Sequence, residues 1–155
     1  MKALSMWQPW ATLVAIMAKL VETRSWKTDY RGPLAIRAAL RFPQEAQLLC
    51  FRDPFRSALI RWLLEGEITL PRGVIVATCE LVDCVPAEQF RVCMAEDMER
   101  QRQIDPRWRW ISFEEGEFGD YSSGRWGWVL ENVVRLEAPV AARGRQGLWE
   151  WDYGR

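Results

Sequence analysis

Strand-forming runs recur along the whole chain without a helix set regularly between them, and this irregular order is what most narrows the fold. Residues 2 to 6 read as a short strand, and "VETRSW" alternates in strand fashion. "YRGPLAIRAA" carries a turn at Arg31-Gly32 into a strand in which Leu34 and Ile36 share a face. "PRGVIVATCELVDCV" is a turn followed by a long β-branched strand, and "RWGWVLENVVRL" and "GLWEWDY" complete the set. A doubly wound sheet needs a helix after nearly every strand, whereas one N-terminal helix and one helical excursion fit a small mixed barrel. The order predicts an α+β fold: a small mixed β-barrel with an N-terminal helix and a helical insertion.

The N-terminal helix is expected to begin at Pro9, a residue suited to a first turn, and to run to about Lys19. Leu13, Ile16, Met17 and Leu20 would share its apolar face. From Pro43 to Leu64 the pattern is again helical, with Pro43 and Pro54 at first-turn positions, Asp53 as an N-cap and Gly66 just past the end. "AEQFRVCMAEDMERQRQ" is helix-like in composition, and Asp105 to Gly124, rich in Trp, Glu and Gly without periodicity, reads as a long ordered loop. A chain of 155 residues with no repeat or long linker fits one domain spanning 1–155.

Composition then removes several functional classes. Twenty-one basic and 21 acidic residues give a formal net charge of zero, so a nucleic-acid role must rest on a local patch. There is no histidine, which excludes Ser-His-Asp and Cys-His catalysis and leaves acid-base work to Lys, Glu, Asp, Tyr or water. Cys50, Cys79, Cys84 and Cys93 form no CxxC pair, so structural zinc is not expected, and reduced, mostly buried thiols suit a cytoplasmic protein. No GxGxxG or P-loop glycine pattern occurs. No metal or cofactor is therefore expected. Gln8 and Pro9 interrupt the apolar opening, which is too short to span a bilayer and reads as structure, not as a signal.

Three charges, Lys19, Glu22 and Arg24, fall together in "MAKLVETRSW", where helix gives way to strand. A spacing of three on a helix or two on a strand puts neighbours on one face, so the three can converge. A lysine near a helix C-terminus and an ordinary Glu–Arg ion pair would explain them structurally. The chain has 18 arginines but only Lys2, Lys19 and Lys27 as lysines, so Lys19 breaks the local habit. An ammonium, unlike a guanidinium, can lose its proton when desolvated, as a base or nucleophile must; a tight packing site would also prefer it. Ten tryptophans raise a parallel choice. Trp126 and Trp128 alternate with Leu130 as core residues do, whereas Trp7 and Trp10 flank Gln8-Pro9, where an indole can lie beside a cleft and stack on a splayed base.

The stretches "LSMWQPWATLVAIMAKLVETRSW", "YRGPLAIRAA", "ELVDCV", "FGDYSSGRWGWVLENV" and "GRQGLWEWD" together resemble the ASCH-domain family, whose fold is similar to the PUA RNA-binding barrel. The family's GxKxxExR signature aligns its three charged positions with Lys19, Glu22 and Arg24, and its glycine with Met17. The resemblance implies that these charges line a cleft beside the barrel that meets RNA or a nucleoside. Arg37 stands where relatives often carry histidine, and Arg145 where they carry lysine. One branch of the family resembles amidohydrolases acting on N4-acetylcytidine, with a threonine three residues after the lysine. Here that position is Glu22, with Thr23 adjacent. Another member is described as a ribonuclease.

Three functions follow as expectations. A binding module would hold single-stranded RNA or a modified nucleoside through Trp7, Gln8, Trp10, Lys19, Glu22, Arg24, Arg31 and Arg125. A small hydrolase would use Lys19 as base or nucleophile, Glu22 or Glu80 as proton shuttle, and Arg24 or Arg125 beside the developing oxyanion. An interaction domain would dock a partner through Trp108 and Trp110. A membrane role is not expected, and the oligomeric state is left open.

Overall fold

The computed structural model describes residues 1–64 and 67–153. In chain order the elements are β1 (Lys2–Met6), α1 (Trp10–Ala15), β2 (Val21–Arg24), β3 (Gly32–Ala38), α2 (Gln44–Leu49), α3 (Phe55–Leu59), β4 (Leu63–Leu64), β5 (Glu67–Ile68), β6 (Val74–Pro86), β7 (Phe90–Cys93), α4 (Met98–Ile104), β8 (Arg109–Ser112), α5 (Phe113–Phe118), β9 (Trp126–Ala141) and β10 (Leu148–Glu150). Six strands form one sheet in the order β10-β1-β3-β6-β9-β2, with β1 and β3 parallel and the other neighbours antiparallel. The expected mixed α+β architecture is present, as a β-barrel left partly open. No helix among the described residues is long and apolar enough to cross a membrane.

The curl comes from the two long strands. β6 and β9 pair along most of their length, but their register shifts between Ile75 and Ala77, Thr78 and Glu80, and Leu81 and Asp83. The first inserts three extra residues on β9 and the other two one residue each, and such insertions bend the ribbon. Asn132, at a φ of 51°, takes the left-handed conformation inside this irregular stretch, one that asparagine tolerates better than most side chains.

Alternation along the strands sorts side chains between the two faces of the curl. Leu4, Met6, Leu34, Ile36, Cys79, Leu81, Trp128 and Leu130 point inward and close over Ala11, Val14 and Ala15 of α1. Leu34 and Ile36 thus share a buried face as expected. Trp128 is wholly buried and meets Trp26 edge-on at 4.6 Å. Outside the curl, Ala3, Ala35, Ile75, Trp149 and Trp151 form a second layer. Next to it Arg37 is only 6% exposed and donates from Nε to Ala142 O at 2.8 Å. Its guanidinium fills the space that a β-carbon at Gly144 would need.

Helix α1 is shorter than the apolar spacing suggests. It stops at Ala15 because Met17 adopts a φ of 61°. Ala18 N–H then bonds to Leu13 O at 2.9 Å and Met17 N–H to Val14 O at 2.9 Å, the paired bonds of a Schellman end. Met17 and Leu20 consequently leave the apolar face and are 61% and 39% exposed.

Two short helices do occupy the insertion, α2 after Pro43 and α3 after Pro54. The N-cap of α3 is Pro54 and not Asp53; Asp53, one residue before it, accepts from Ser57 N–H at 3.1 Å, and Gly66 lies outside the described residues. The "AEQFRVCMAEDMERQRQ" stretch is α-helical only at α4, with single 3-10 turns at Ala87–Gln89 and Ala95–Asp97, and Phe90–Cys93 is a strand. Asp105 to Gly124 is not a loop throughout: β8 pairs in parallel with β7, and α5 follows it directly.

Met17 holds a conformation that costs a non-glycine residue about 1–2 kcal/mol, and its side chain lies mostly in water. Met17→Gly is therefore expected to raise unfolding stability by about 1 kcal/mol in urea titration. A loss of stability would contradict this account of how α1 ends.

Candidate functional site

Strand β2 is the open edge of the sheet, and side chains rather than another strand satisfy its outward backbone groups. Glu115, at 7% exposure, accepts from Leu20 N–H at 2.7 Å and Val21 N–H at 3.1 Å, one bond on each carboxylate oxygen. Lys19 Nζ donates to Val21 O. Arg125 Nη2 donates to Thr23 O at 3.2 Å, and Thr23 Oγ1 accepts from Asp120 N–H at 3.0 Å. Side chains thus meet the edge at Leu20, Val21 and Thr23.

The signature charges converge on this edge. Lys19 is completely buried, and its ammonium lies 3.6 Å from Glu22 Oε2. Glu22 and Arg24, two apart on β2, share a face, with Arg24 Nε 2.9 Å from Glu22 Oε1. That contact is an ion pair without hydrogen-bond alignment, since Nε is buried and bonded to nothing among the described residues. Arg24 Nη2 instead donates to Ser5 O at 2.9 Å, tying β2 to β1. An enclosed ammonium suits this position better than a guanidinium, which is larger and needs a planar fork of acceptors.

Glu115 titrates above the ordinary carboxylate value. Burial is the largest cause; Lys19 and the two backbone N–H groups pull the other way, and the Glu22 charge adds to the rise. Tyr121, whose hydroxyl is buried with no partner among the described residues, is also raised, first by burial and then by the charges of Glu115 and Glu22.

Above this buried group opens a cleft of about 580 Å³, bounded by β1, the start of α1, β2 and the α5–β9 connection. Trp7, Trp10, Trp26, Phe55 and Phe118 form its apolar walls, and Glu22, Arg24 and Arg125 are among its polar groups. Trp10 is held by an Nε1–H bond to Phe118 O at 2.7 Å and meets Phe55 edge-on at 6.2 Å. Trp7 is 47% exposed at the mouth, with the Arg41 guanidinium 5.4 Å from its ring. Arg125 is braced by an Nε–H bond to Asp120 O at 3.1 Å.

Of the residues singled out from the sequence, Trp7, Trp10, Glu22, Arg24 and Arg125 line this cleft, and Lys19 lies behind Glu22. Gln8 is buried instead. Its Nε2 donates to Pro71 O at 2.7 Å and its Oε1 accepts from Thr12 N–H at 3.0 Å, which caps α1. Arg31 is outside the cleft, bonded to Thr28 O and Tyr30 O and paired with Asp83 at 3.3 Å. Glu80 is exposed on β6 and accepts from Asn132 at 3.3 Å, away from Lys19. Trp108 and Trp110 are half-buried, and the Arg91 guanidinium covers the Trp108 ring at 3.8 Å.

Glu115 is the residue that the sequence reading missed. Its signal was Ser112-Phe113-Glu114-Glu115, an N-cap serine followed three positions later by glutamate. Ser112 Oγ does accept from Glu115 N–H at 3.1 Å, and the glutamate side chain turns to β2 instead of closing the box.

The chain is thus a curled, partly open α+β barrel with an aromatic, charge-floored cleft over its edge strand. Residues 4–140 match the model of the ASCH domain, and the chain belongs to that family. Activating signal cointegrator 1 from Homo sapiens is 35% identical over 89 residues, which are 57% of this chain and 15% of that protein. The Mus musculus protein of the same name is 36% identical over 89 residues, with the same shares. The matched segment thus spans far less than two thirds of these relatives. Among solved structures, the ASCH protein of Zymomonas mobilis is 12% identical, with a TM-score of 0.49 over 99% of this chain and 87% of that one. A point mutant of it is 13% identical, with a TM-score of 0.48 over 99% and 90%.

Removing the ammonium would leave Glu22 and Glu115 buried without their shared counter-charge. Lys19→Met is expected to cost about 3–5 kcal/mol of stability in denaturant titration. A loss below about 1 kcal/mol would contradict the sealing role.

Because the folded-state value of Glu115 lies above its ordinary 4.5, its contribution is complete below that pH and is lost as pH rises through the raised value. Relative to Glu115→Gln, the wild type should therefore lose stability as the pH rises above the ordinary carboxylate value of 4.5. Parallel stability–pH curves for the two proteins would overturn this.

Proposed function

We propose that the cleft binds a single-stranded RNA segment or a modified nucleoside, with the base entering between the aromatic walls and facing Glu22 and Arg24. The observation that carries this is the pairing of indole planes at Trp7 and Trp10 with a carboxylate and guanidinium on one floor. Aromatic faces accept any base by stacking, and polar groups on the floor meet its edge. A cleft of about 580 Å³ lies within the range of small-ligand sites. Membership in the ASCH family, and the implication of RNA or nucleoside ligands that goes with it, point the same way.

Lys19 supports binding more than hydrolysis. Its ammonium faces Val21 O and Glu22 behind the cleft floor and is not among the lining groups, so it orients the carboxylate and does not approach a ligand. Glu80, the more distant shuttle in a hydrolytic scheme, is on another part of β6.

Titration with mixed-sequence single-stranded RNA is expected to quench tryptophan emission and release heat, and Trp7→Ala should weaken binding by about 1–3 kcal/mol. Arg24 and Arg125 are both paired with acids, and Arg31 lies elsewhere, so few phosphates are neutralised and salt dependence should be shallow. Unchanged emission with no heat from RNA or modified nucleosides would rule this function out.

A further inference from the structure

Glu22 is 8% exposed, carries two ion pairs and, among the described residues, receives no hydrogen bond. Buried carboxylate oxygens ordinarily accept several, so a group at the floor of a cleft that accepts none is a site awaiting donors. Its ion-pair partners do not use its capacity: Lys19 stands 3.6 Å behind Oε2, and Arg24 Nε is misaligned beside Oε1. Arg24 spends Nη2 on Ser5 O, and Nη1 meets no acceptor among the described residues. The floor therefore presents two acceptor oxygens and, beside them, a guanidinium donor.

We infer that this cleft selects guanine. The inference rests on the base-binding function proposed above and names which base it favours. On its Watson–Crick edge guanine carries two adjacent donors, N2–H and N1–H, followed by the acceptor O6. Those donors match the two oxygens of Glu22, and O6 matches the guanidinium of Arg24. Hypoxanthine keeps N1–H and O6 but lacks the amino group. Cytosine and adenine offer one amino donor and then a ring-nitrogen lone pair, which would face a carboxylate oxygen. Uracil places a carbonyl oxygen on each side of its single N–H. Acceptors at the floor of a cleft discriminate strongly, because a bound base without the matching donors covers them and leaves them desolvated and unpaired.

The test is calorimetric titration of the wild-type protein with oligouridine heptamers whose central base is guanine, hypoxanthine, adenine, cytosine or uracil. The guanine oligomer is expected to bind at least about tenfold more tightly than the hypoxanthine one, and more tightly than all the others. Glu22→Gln, which replaces one acceptor by a donor, should bring guanine to the level of adenine. The hypoxanthine comparison needs no variant and so survives any loss of folding in Glu22→Gln. Equal binding of all five heptamers would overturn the guanine assignment while leaving base binding intact, and so would a folded Glu22→Gln protein that keeps the preference. Absence of binding by every heptamer would overturn both.

Discussion

The exposed edge of β2 is the constraint on which the rest of this structure depends. A strand at the end of a curled sheet presents backbone donors and acceptors that must find partners wherever water is excluded. Here the barrel does not close by pairing β2 with another strand. Glu115, Lys19 and Arg125 take backbone groups there, and the Asp120 amide bonds to the Thr23 hydroxyl beside them. The short helix α5 is placed where it is because its glutamate must reach Leu20 and Val21. The sharp end of α1 at Met17 is what brings Lys19 to the same edge. The segment from Gly119 to Arg125 then lies along β2 and becomes one wall of the cleft.

Sealing an edge with charged groups has an electrostatic consequence. Glu22 has both Lys19 and Arg24 beside it, whereas Glu115 has only the more distant Lys19 ammonium, and burial raises its titration above the ordinary carboxylate value. The carboxylates also have unlike duties. Glu115 spends both oxygens on backbone N–H groups, whereas Glu22 turns towards the cleft with Lys19 at its back. The same lysine therefore fixes the sheet edge and aims the residue at the centre of the cleft floor. Fold and site are here parts of one electrostatic arrangement, which explains why three charges sit at a joint between helix and strand.

Much of this was legible from residue order, and what was not shares a physical cause. Long runs with strong period, such as those of β6 and β9, reveal themselves, as do the facing pair Leu34 and Ile36 and the buried Trp128. The parallel pair β7–β8 has four residues per strand and partners distant in sequence, so no local pattern announces it. Glu115 was hidden in that stretch. Glu80 and Arg31 show a further limit: periodicity tells which face a residue takes, but not where on the molecule the cleft opens. Glu80, between the inward Cys79 and Leu81, faces out from β6, and Asp83 holds Arg31 on the outer surface. That Glu22 and Arg24 share a face was readable from their spacing, because both lie within one short strand, where spacing alone determines direction.

On the outer face, the close fit of Arg37 against Gly144 bears on how this chain can change over time. The guanidinium occupies the volume of any side chain at 144, and its Nε bond to Ala142 O keeps it from swinging away. Neither position is free to drift alone: a side chain gained at 144 has to wait for a smaller residue at 37, and a smaller residue at 37 leaves a void until 144 fills it. The two sites are thus expected to substitute as a pair across descendants of this sequence, with glycine at 144 persisting wherever arginine persists at 37.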